Sequence, residues 1–144
     1  MRRKDPSEPI LLENKAIWEK NKKGKFFTTL FPTKIPFSCP PEFGGSNEPS
    51  PEDLFLAAIS TCTITTILHI CDSLHTQPNS LNVTTSCSLI YLPEKDYEFS
   101  NIVCKISITG DRFLLERVCE LVPKYCLIGR SIIPKINYEF EILT

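Results

Sequence analysis

Apolar residues along this chain recur first with a period of two, then without any single stripe, then with a period of two again. Ile10, Leu12, Ala16 and Trp18 fall on one face of a strand. Asn21-Lys22-Lys23-Gly24 reads as a turn and Lys25 to Phe31 as the returning strand. Lys34 to Ser38 reads as a short third strand, which Pro36 confines to an edge or an irregular place. Pro40 to Pro49 is a loop rich in Gly, Asn and Pro. A helix follows. Ser50 suits its N-cap, Pro51 its first position, and Asp53 closes a variant capping box. Glu52 and Asp53 also suit the positive end of the helix dipole. The pattern carries this helix to about Leu74, before Gln77-Pro78-Asn79.

Leu54, Ile59, Cys62, Ile64, Ile67 and Cys71 go around the helix cylinder rather than along one side. A helix apolar on all sides is buried on all sides. At ~1.5 Å per residue it is about 36 Å long, in a chain whose radius of gyration is roughly 15 Å. One small sheet covers only one face of such a rod, and no other segment supplies a comparable apolar partner. An obligate homodimer around a long buried central helix is the expectation.

Beyond the helix, Leu81, Val83, Cys87, Leu89 and Tyr91 alternate with polar residues, Pro93 to Glu98 forms a loop, and Ile102, Cys104, Ile106 and Ile108 alternate again. This predicts an antiparallel hairpin with one buried face. Gly110-Asp111 starts a second helix with Leu114, Val118, Leu121 and Val122 on one side and Glu120 paired to Lys124. Pro123 distorts or ends it. Cys126 to Ile133 reads as a short further helix, and Lys135 to Leu143 as a last strand with Ile136, Tyr138, Phe140 and Ile142 inward. The order is βββ-α-ββ-α-β, an α+β fold with mostly antiparallel sheet. Residues 1–9 read as a loose tail and 10–144 as a single domain.

Composition narrows the function. A net charge of −1 without a basic stripe does not suggest nucleic acid. MRRKDPSEP leads into no apolar core of a secretory signal, and no apolar run approaches ~18 residues, so no membrane span is expected. Seven cysteines, an odd number with no CxxC pair, argue against a secreted disulfide framework and against a zinc ribbon. A reducing, cytoplasmic setting fits best.

Most of these thiols read as small apolar core groups. Cys87 and Cys104 sit on the apolar faces of the hairpin, Cys71 and Cys119 within apolar helical patterns, and Cys39 lies in a Pro-flanked loop. Cys62 and Cys126 remain. Ser60, Thr61, Thr63, Thr65 and Thr66 surround Cys62. Their hydroxyls either hydrogen-bond a thiolate or bond back to helix carbonyls. Cys62 lies too far from the helix start for the dipole to activate it, so a cation is needed from elsewhere. His69 is seven residues on, roughly 10 Å along the axis, a poor direct base and a core or boundary histidine. His75 belongs on the surface.

Pro-Glu-Phe-Gly-Gly (41–45), Ser-Pro-Glu-Asp-Leu-Phe (50–55), Cys62 in the same helix and Lys-Tyr-Cys (124–126) after the second helix together resemble the OsmC/Ohr family, osmotically inducible protein C and organic hydroperoxide resistance protein. The resemblance covers about residues 10 to 143 and is closer to the general OsmC-like branch. It implies an intertwined homodimer and a thiol-dependent peroxidase of organic hydroperoxides. Cys62 would form a sulfenic acid, Cys126 would resolve it as a Cys62–Cys126 disulfide, and an external thiol or dithiol would reduce that disulfide. No metal or organic cofactor is implied. Apolar helix residues such as Phe55 and Ile59 would favour organic substrates. Glu52 matches a glutamate that, in the best-studied branch, pairs with an arginine from the N-terminal strands. This chain has no arginine between residues 4 and 111. Lys22, Lys23 or Lys25 then substitutes without the planar fork of a guanidinium, or Arg112, Arg117 or Arg130 reaches in. The competing reading is a dimeric small-molecule binding module, with Cys62 merely lining an apolar pocket.

Overall fold

The computed structural model describes residues 7–28 and 30–143, so most of the expected N-terminal tail lies outside the described residues. The chain divides into two compact units, the first ending at Asp53 and the second starting at Leu54. The first holds a three-stranded antiparallel sheet in the order β1 (Asn14–Lys20), β2 (Lys23–Thr28), β3 (Ile35–Ser38). Its first strand is shorter than the alternation predicts. Pairing stops at Asn14↔Thr28, because beyond Thr28 the partner turns away, with the Thr28 N–H donating to the Phe31 carbonyl at 3.2 Å. Ile10, Leu11 and Leu12 therefore have no ladder to join and are exposed.

The helix α1 (Pro51–Ser73) starts where its cap predicts. The Ser50 hydroxyl accepts the Asp53 N–H at 3.1 Å, and the Asp53 carboxylate accepts both the Ser50 N–H and the Ser50 hydroxyl at 2.9 Å. Those two bonds from Ser50, backbone first, hold the Asp53 carboxyl below the usual carboxylate value. A carboxyl lowered on folding stabilises above its unfolded pKa, near ~3.9, and the contribution disappears as pH falls through the folded value. Ser50→Ala is expected to cost about 1 kcal/mol at neutral pH and to shrink the acid limb of the stability profile, measured by denaturant melts between pH 7 and pH 3.

The second unit continues α1 and adds β4 (Ser80–Leu92), β5 (Asp96–Thr109), α2 (Arg112–Tyr125), α3 (Leu127–Ser131) and β6 (Ile136–Leu143), with strand order β4-β5-β6. The hairpin is tighter than expected, pairing as far as Leu92↔Asp96. A register shift between Ser86 and Ser88 leaves Asn101 with a φ of 51°, and the stripe that is inward at Leu81 and Val83 is exposed at Leu89 and Tyr91. The last strand departs from the antiparallel rule. β6 pairs parallel to β5, from Ile102↔Ile136 to Thr109↔Leu143, because the chain returns through α2 and α3 rather than through a hairpin. The other pairings are antiparallel, and the fold is α+β.

Ile102, Cys104, Ile106 and Ile108 of β5 form the buried row of this sheet, and Leu115, Val118 and Val122 of α2 pack on it. Asp111 caps α2 by accepting the Leu114 N–H at 3.2 Å, and the helix runs through Pro123 to Tyr125. Glu120 pairs with Arg117 at 2.9 Å instead of Lys124. Along α1, Ile59, Thr63, Ile67, Ile70 and Cys71 make one buried stripe against the same core. Burial on every side, expected from its composition, does not occur within one chain. Ala57, Thr61, Thr65, Leu68 and His69 are exposed. By length and composition α1 is apolar enough to cross a membrane, with a mean hydropathy of 1.9 over 18 residues, which the residue-by-residue reading missed because hydroxyls break the apolar run. The buried stripe makes it the core helix of this unit.

Candidate active site

Two elements of the second unit bring the two singled-out thiols together. Cys62 sits mid-way along α1, one turn before Thr66 and beside the buried stripe. Cys126 lies at the junction of α2 and α3, where its N–H closes α2 on the Val122 carbonyl at 2.9 Å and its carbonyl accepts the Arg130 N–H at 3.0 Å. The Cys126 thiol donates toward Cys62 Sγ across 3.6 Å. The Ile128 N–H, in the first turn of α3, also points at Cys62 Sγ from 3.5 Å. The sulfurs are in van der Waals contact and unbonded. A disulfide is ~2.05 Å long, so closure asks for about 1.5 Å of approach. Cys62 is partly exposed and Cys126 is fully buried.

The hydroxyls around Cys62 mostly bond back to the helix. Thr61 donates to the Ala57 carbonyl at 2.8 Å, Thr63 to Ile59 at 2.8 Å and Thr65 to Cys62 at 3.1 Å, while Ser60 meets Thr85 of β4 at 2.7 Å. Thr66 alone reaches the Cys62 sulfur, at 4.0 Å. The concentration of Ser and Thr is therefore chiefly a way to place polar residues in an apolar helix without orphaned hydroxyls.

Electrostatics separates the thiols. Burial pushes Cys71 and Cys104 up, and Cys119 up to about 11, so these stay protonated and inert. Burial also acts upward on Cys126, yet its pKa lies below the ordinary value. The Gly129 N–H, which points at the sulfur without closing a cap bond, outweighs burial together with the Tyr138 hydroxyl and the Cys62 thiol. Thr63 adds least, since its one proton already goes to Ile59. The Cys39 thiol, in the first unit, donates to the carbonyls of Pro40 at 3.5 Å and Phe43 at 3.3 Å and so behaves as a structural donor.

Glu52 is not part of this constellation within α1. It occupies the first turn, ten residues before Cys62, roughly 15 Å of helix rise away. Its Oε2 is buried and has no hydrogen-bond partner among the described residues. Four of the six cations considered from sequence have partners of their own. Lys22 donates to the Phe43 carbonyl at 2.8 Å, Lys25 pairs with Glu19 at 3.6 Å, Arg112 with Glu116 at 3.6 Å and Arg117 with Glu120. Lys23 lies within β2, and Arg130 is exposed at the end of α3. Ile59, expected to line the approach to Cys62, is instead fully buried in the core, and Phe55 packs against Phe99 as a tilted pair with centroids 4.5 Å apart. The exposed apolar residues flanking Cys126 are Tyr125 and Leu127. His69 is exposed, not core, and lines a cavity of about 280 Å³ with Ile70, Leu74, Leu121 and Tyr125. Among the described residues no three His, Cys, Asp or Glu side chains gather into a metal-binding group.

Sequence reasoning missed Tyr138 and Gly129. Tyr138 appeared only as one inward residue of β6. Its proximity to Cys126 depends on the β5–β6 register, which sets it opposite Cys104. Gly129 had no distinguishing signal.

Two unbonded thiols in contact, one of them partly exposed, are the arrangement from which a disulfide can close. The sequence matches the family described as OsmC-like protein over residues 44–141, and the chain belongs to that family. Solved structures similar to it include an organic hydroperoxide resistance protein OsmC from Legionella pneumophila, at 21% identity over 96% of this chain and 100% of that one, with a TM-score of 0.76. An OsmC-like protein from Mycoplasma pneumoniae matches at 14% identity over 95% and 100% of the two chains, with a TM-score of 0.81. One from Vibrio cholerae matches at 16% identity over 92% and 100%, with a TM-score of 0.80. At these identities the structures speak for the fold. No curated protein matches the sequence.

Proposed function

We propose that this chain is a thiol-dependent peroxidase that reduces organic hydroperoxides through Cys62 and Cys126. The contact of the two sulfurs at 3.6 Å carries the proposal. Access decides which one reacts, and of the two only Cys62 is partly exposed. The Cys62 thiolate attacks the distal oxygen of the peroxide. The S–O bond forms as the O–O bond breaks, and the alkoxide takes a proton and leaves as alcohol. Cys126 then attacks the Cys62 sulfenic sulfur, hydroxide leaves as water, and the disulfide closes. Two equivalents of an external thiol, or one dithiol, return both sulfurs to the reduced state.

The exposed apolar side of α1, with Leu68 at 41% exposure, supports a homodimer in which a second copy covers the rod. Glu52 enters the proposal through its buried Oε2, which needs a donor. In the dimer a basic side chain of the second copy supplies it. The apolar flank of Tyr125 and Leu127 supports an organic over an inorganic peroxide.

Two measurements check this reading. In sedimentation the protein is expected to run at twice the 16.4 kDa chain mass. With excess dithiothreitol, cumene hydroperoxide is expected to turn over about tenfold faster than hydrogen peroxide or more, since burial of one aryl group is worth roughly 1.5–3 kcal/mol. Equal rates would remove the substrate assignment. An ordinary Cys62 thiol with no peroxide-dependent thiol loss would favour the binding-module reading instead.

A further inference from the structure

We propose that Tyr138 is the hydrogen-bond donor that receives Cys126 as the leaving thiolate when an external thiol reduces the Cys62–Cys126 disulfide, and that residue 129 is glycine to leave room for that hydroxyl. The proposal rests on the redox reading above and assigns the chemistry of its last step.

Three observations meet at one point. Cys126 is fully buried, so a thiolate formed there has no water to hold its charge. The Tyr138 hydroxyl, carried by β6 on the opposite wall, borders the same small space as that sulfur: one point beside Gly129 lies against both. A methyl group built on Gly129 would collide with the Tyr138 hydroxyl, stand 3.3 Å from Ile136 Cδ1 and only 3.5 Å from Cys126 Sγ. The backbone at Gly129 does not need a left-handed conformation, so space, not φ, explains the glycine. Any side chain there would push the phenol off the sulfur. Burial first, and the Cys126 sulfur next, push the Tyr138 phenol well up, which keeps it a proton-bearing donor wherever thiols titrate.

The same burial sets the direction of reduction. An incoming thiolate reaches Cys62 Sγ and not Cys126 Sγ. The new bond joins the external sulfur to Cys62, the S–S bond breaks, and its electron pair departs on Cys126, where the phenol donates to it. A second thiol attacks the external sulfur of the mixed disulfide and releases Cys62. The reductant leaves as its disulfide. The two protons from its thiols end on Cys62 and Cys126. Leaving-group basicity governs thiol–disulfide exchange, so removing one donor to a buried thiolate slows this step.

The experiment starts from protein oxidised with diamide, which makes the disulfide without any peroxide. Reduction by 2-mercaptoethanol is followed by acid quench and peptide mapping. Wild type is expected to carry the mixed disulfide on Cys62. Tyr138→Phe is expected to be reduced about tenfold more slowly. In a Cys62→Ser background the same change should raise the Cys126 thiolate titration, read by ultraviolet absorbance against Cys126→Ser, by about one pH unit. Gly129→Ala should also slow reduction. Gly129→Ala combined with Tyr138→Phe should be no slower than Tyr138→Phe alone, because the collision with the hydroxyl is then gone, a non-additivity that general loosening of the fold would not produce. Equal reduction rates and an unmoved titration in Tyr138→Phe would overturn the proposal alone. A wild-type chain that forms no Cys62–Cys126 disulfide under diamide would overturn it together with the redox reading.

Discussion

Cys126→Ser, given one equivalent of cumene hydroperoxide, is expected to hold a dimedone-reactive sulfenic acid at Cys62, while Cys62→Ser loses hydroperoxide consumption by about three orders of magnitude or more. The asymmetry follows from exposure rather than from thiol count. Both sulfurs occupy one contact, but a peroxide oxygen reaches only the partly exposed one. Serine at 62 leaves Cys126 behind a wall formed by α1, α3 and β6. Serine at 126 leaves Cys62 free to be oxidised with nothing beside it to close a disulfide. Steady turnover with thiols then depends on direct attack on the sulfenic acid. The two variants should therefore differ in kind. One is silent toward peroxide, and the other is oxidised once and stalls in its trapped form. Labelling of Cys39 in either variant would contradict the assignment, since that thiol is committed to backbone carbonyls.

The second large effect concerns stability. Leu115→Ala is expected to cost about 3 kcal/mol and to lower Tm by about 10 °C for a chain of this length, measured by calorimetry at constant protein concentration. Leu115 is fully buried, and with Val118 and Val122 it seats α2 on the β5 row. Truncation leaves a void that a close-packed sheet–helix interface fills only in part. The loss also reaches the site, because Val122 receives the Cys126 N–H and α2 ends where Cys126 begins. A loosened α2 lets Cys126 drift from its 3.6 Å contact. Disulfide formation in Leu115→Ala should accordingly be slower than in wild type, even well below its melting temperature.

Elements whose signal is local were legible in the sequence. Ser50, Pro51 and Asp53 announce the start of α1, and the cap bonds form between Ser50 and Asp53. The alternations of β5 and β6 identify the inward rows correctly. Properties set by a distant partner were not legible. Ile10 and Leu12 carry the strand rhythm, but the chain opposite them turns at Thr28. Nothing in β6 itself says that it pairs parallel to β5. The role of the hydroxyls near Cys62 stayed open between two readings, because composition cannot say whether a threonine proton goes to sulfur or to the carbonyl four residues back. At the site, Cys62 and Cys126 were singled out by elimination and by family resemblance, whereas their contact across 64 positions is a product of packing. Tyr138 and Gly129 escaped for the same reason. A tyrosine on an inward strand face and a glycine in a short helix acquire meaning only when β6 and α3 close on one sulfur.

The most direct test is the mass and peptide map of wild-type protein after a single equivalent of organic hydroperoxide, with no reductant present. The account predicts a loss of two hydrogens per chain and one new cross-linked peptide pair, Cys62 with Cys126 of the same chain. Oxidation mapped to Cys39, Cys71 or Cys119, or a chain that keeps all seven thiols under these conditions, would contradict it.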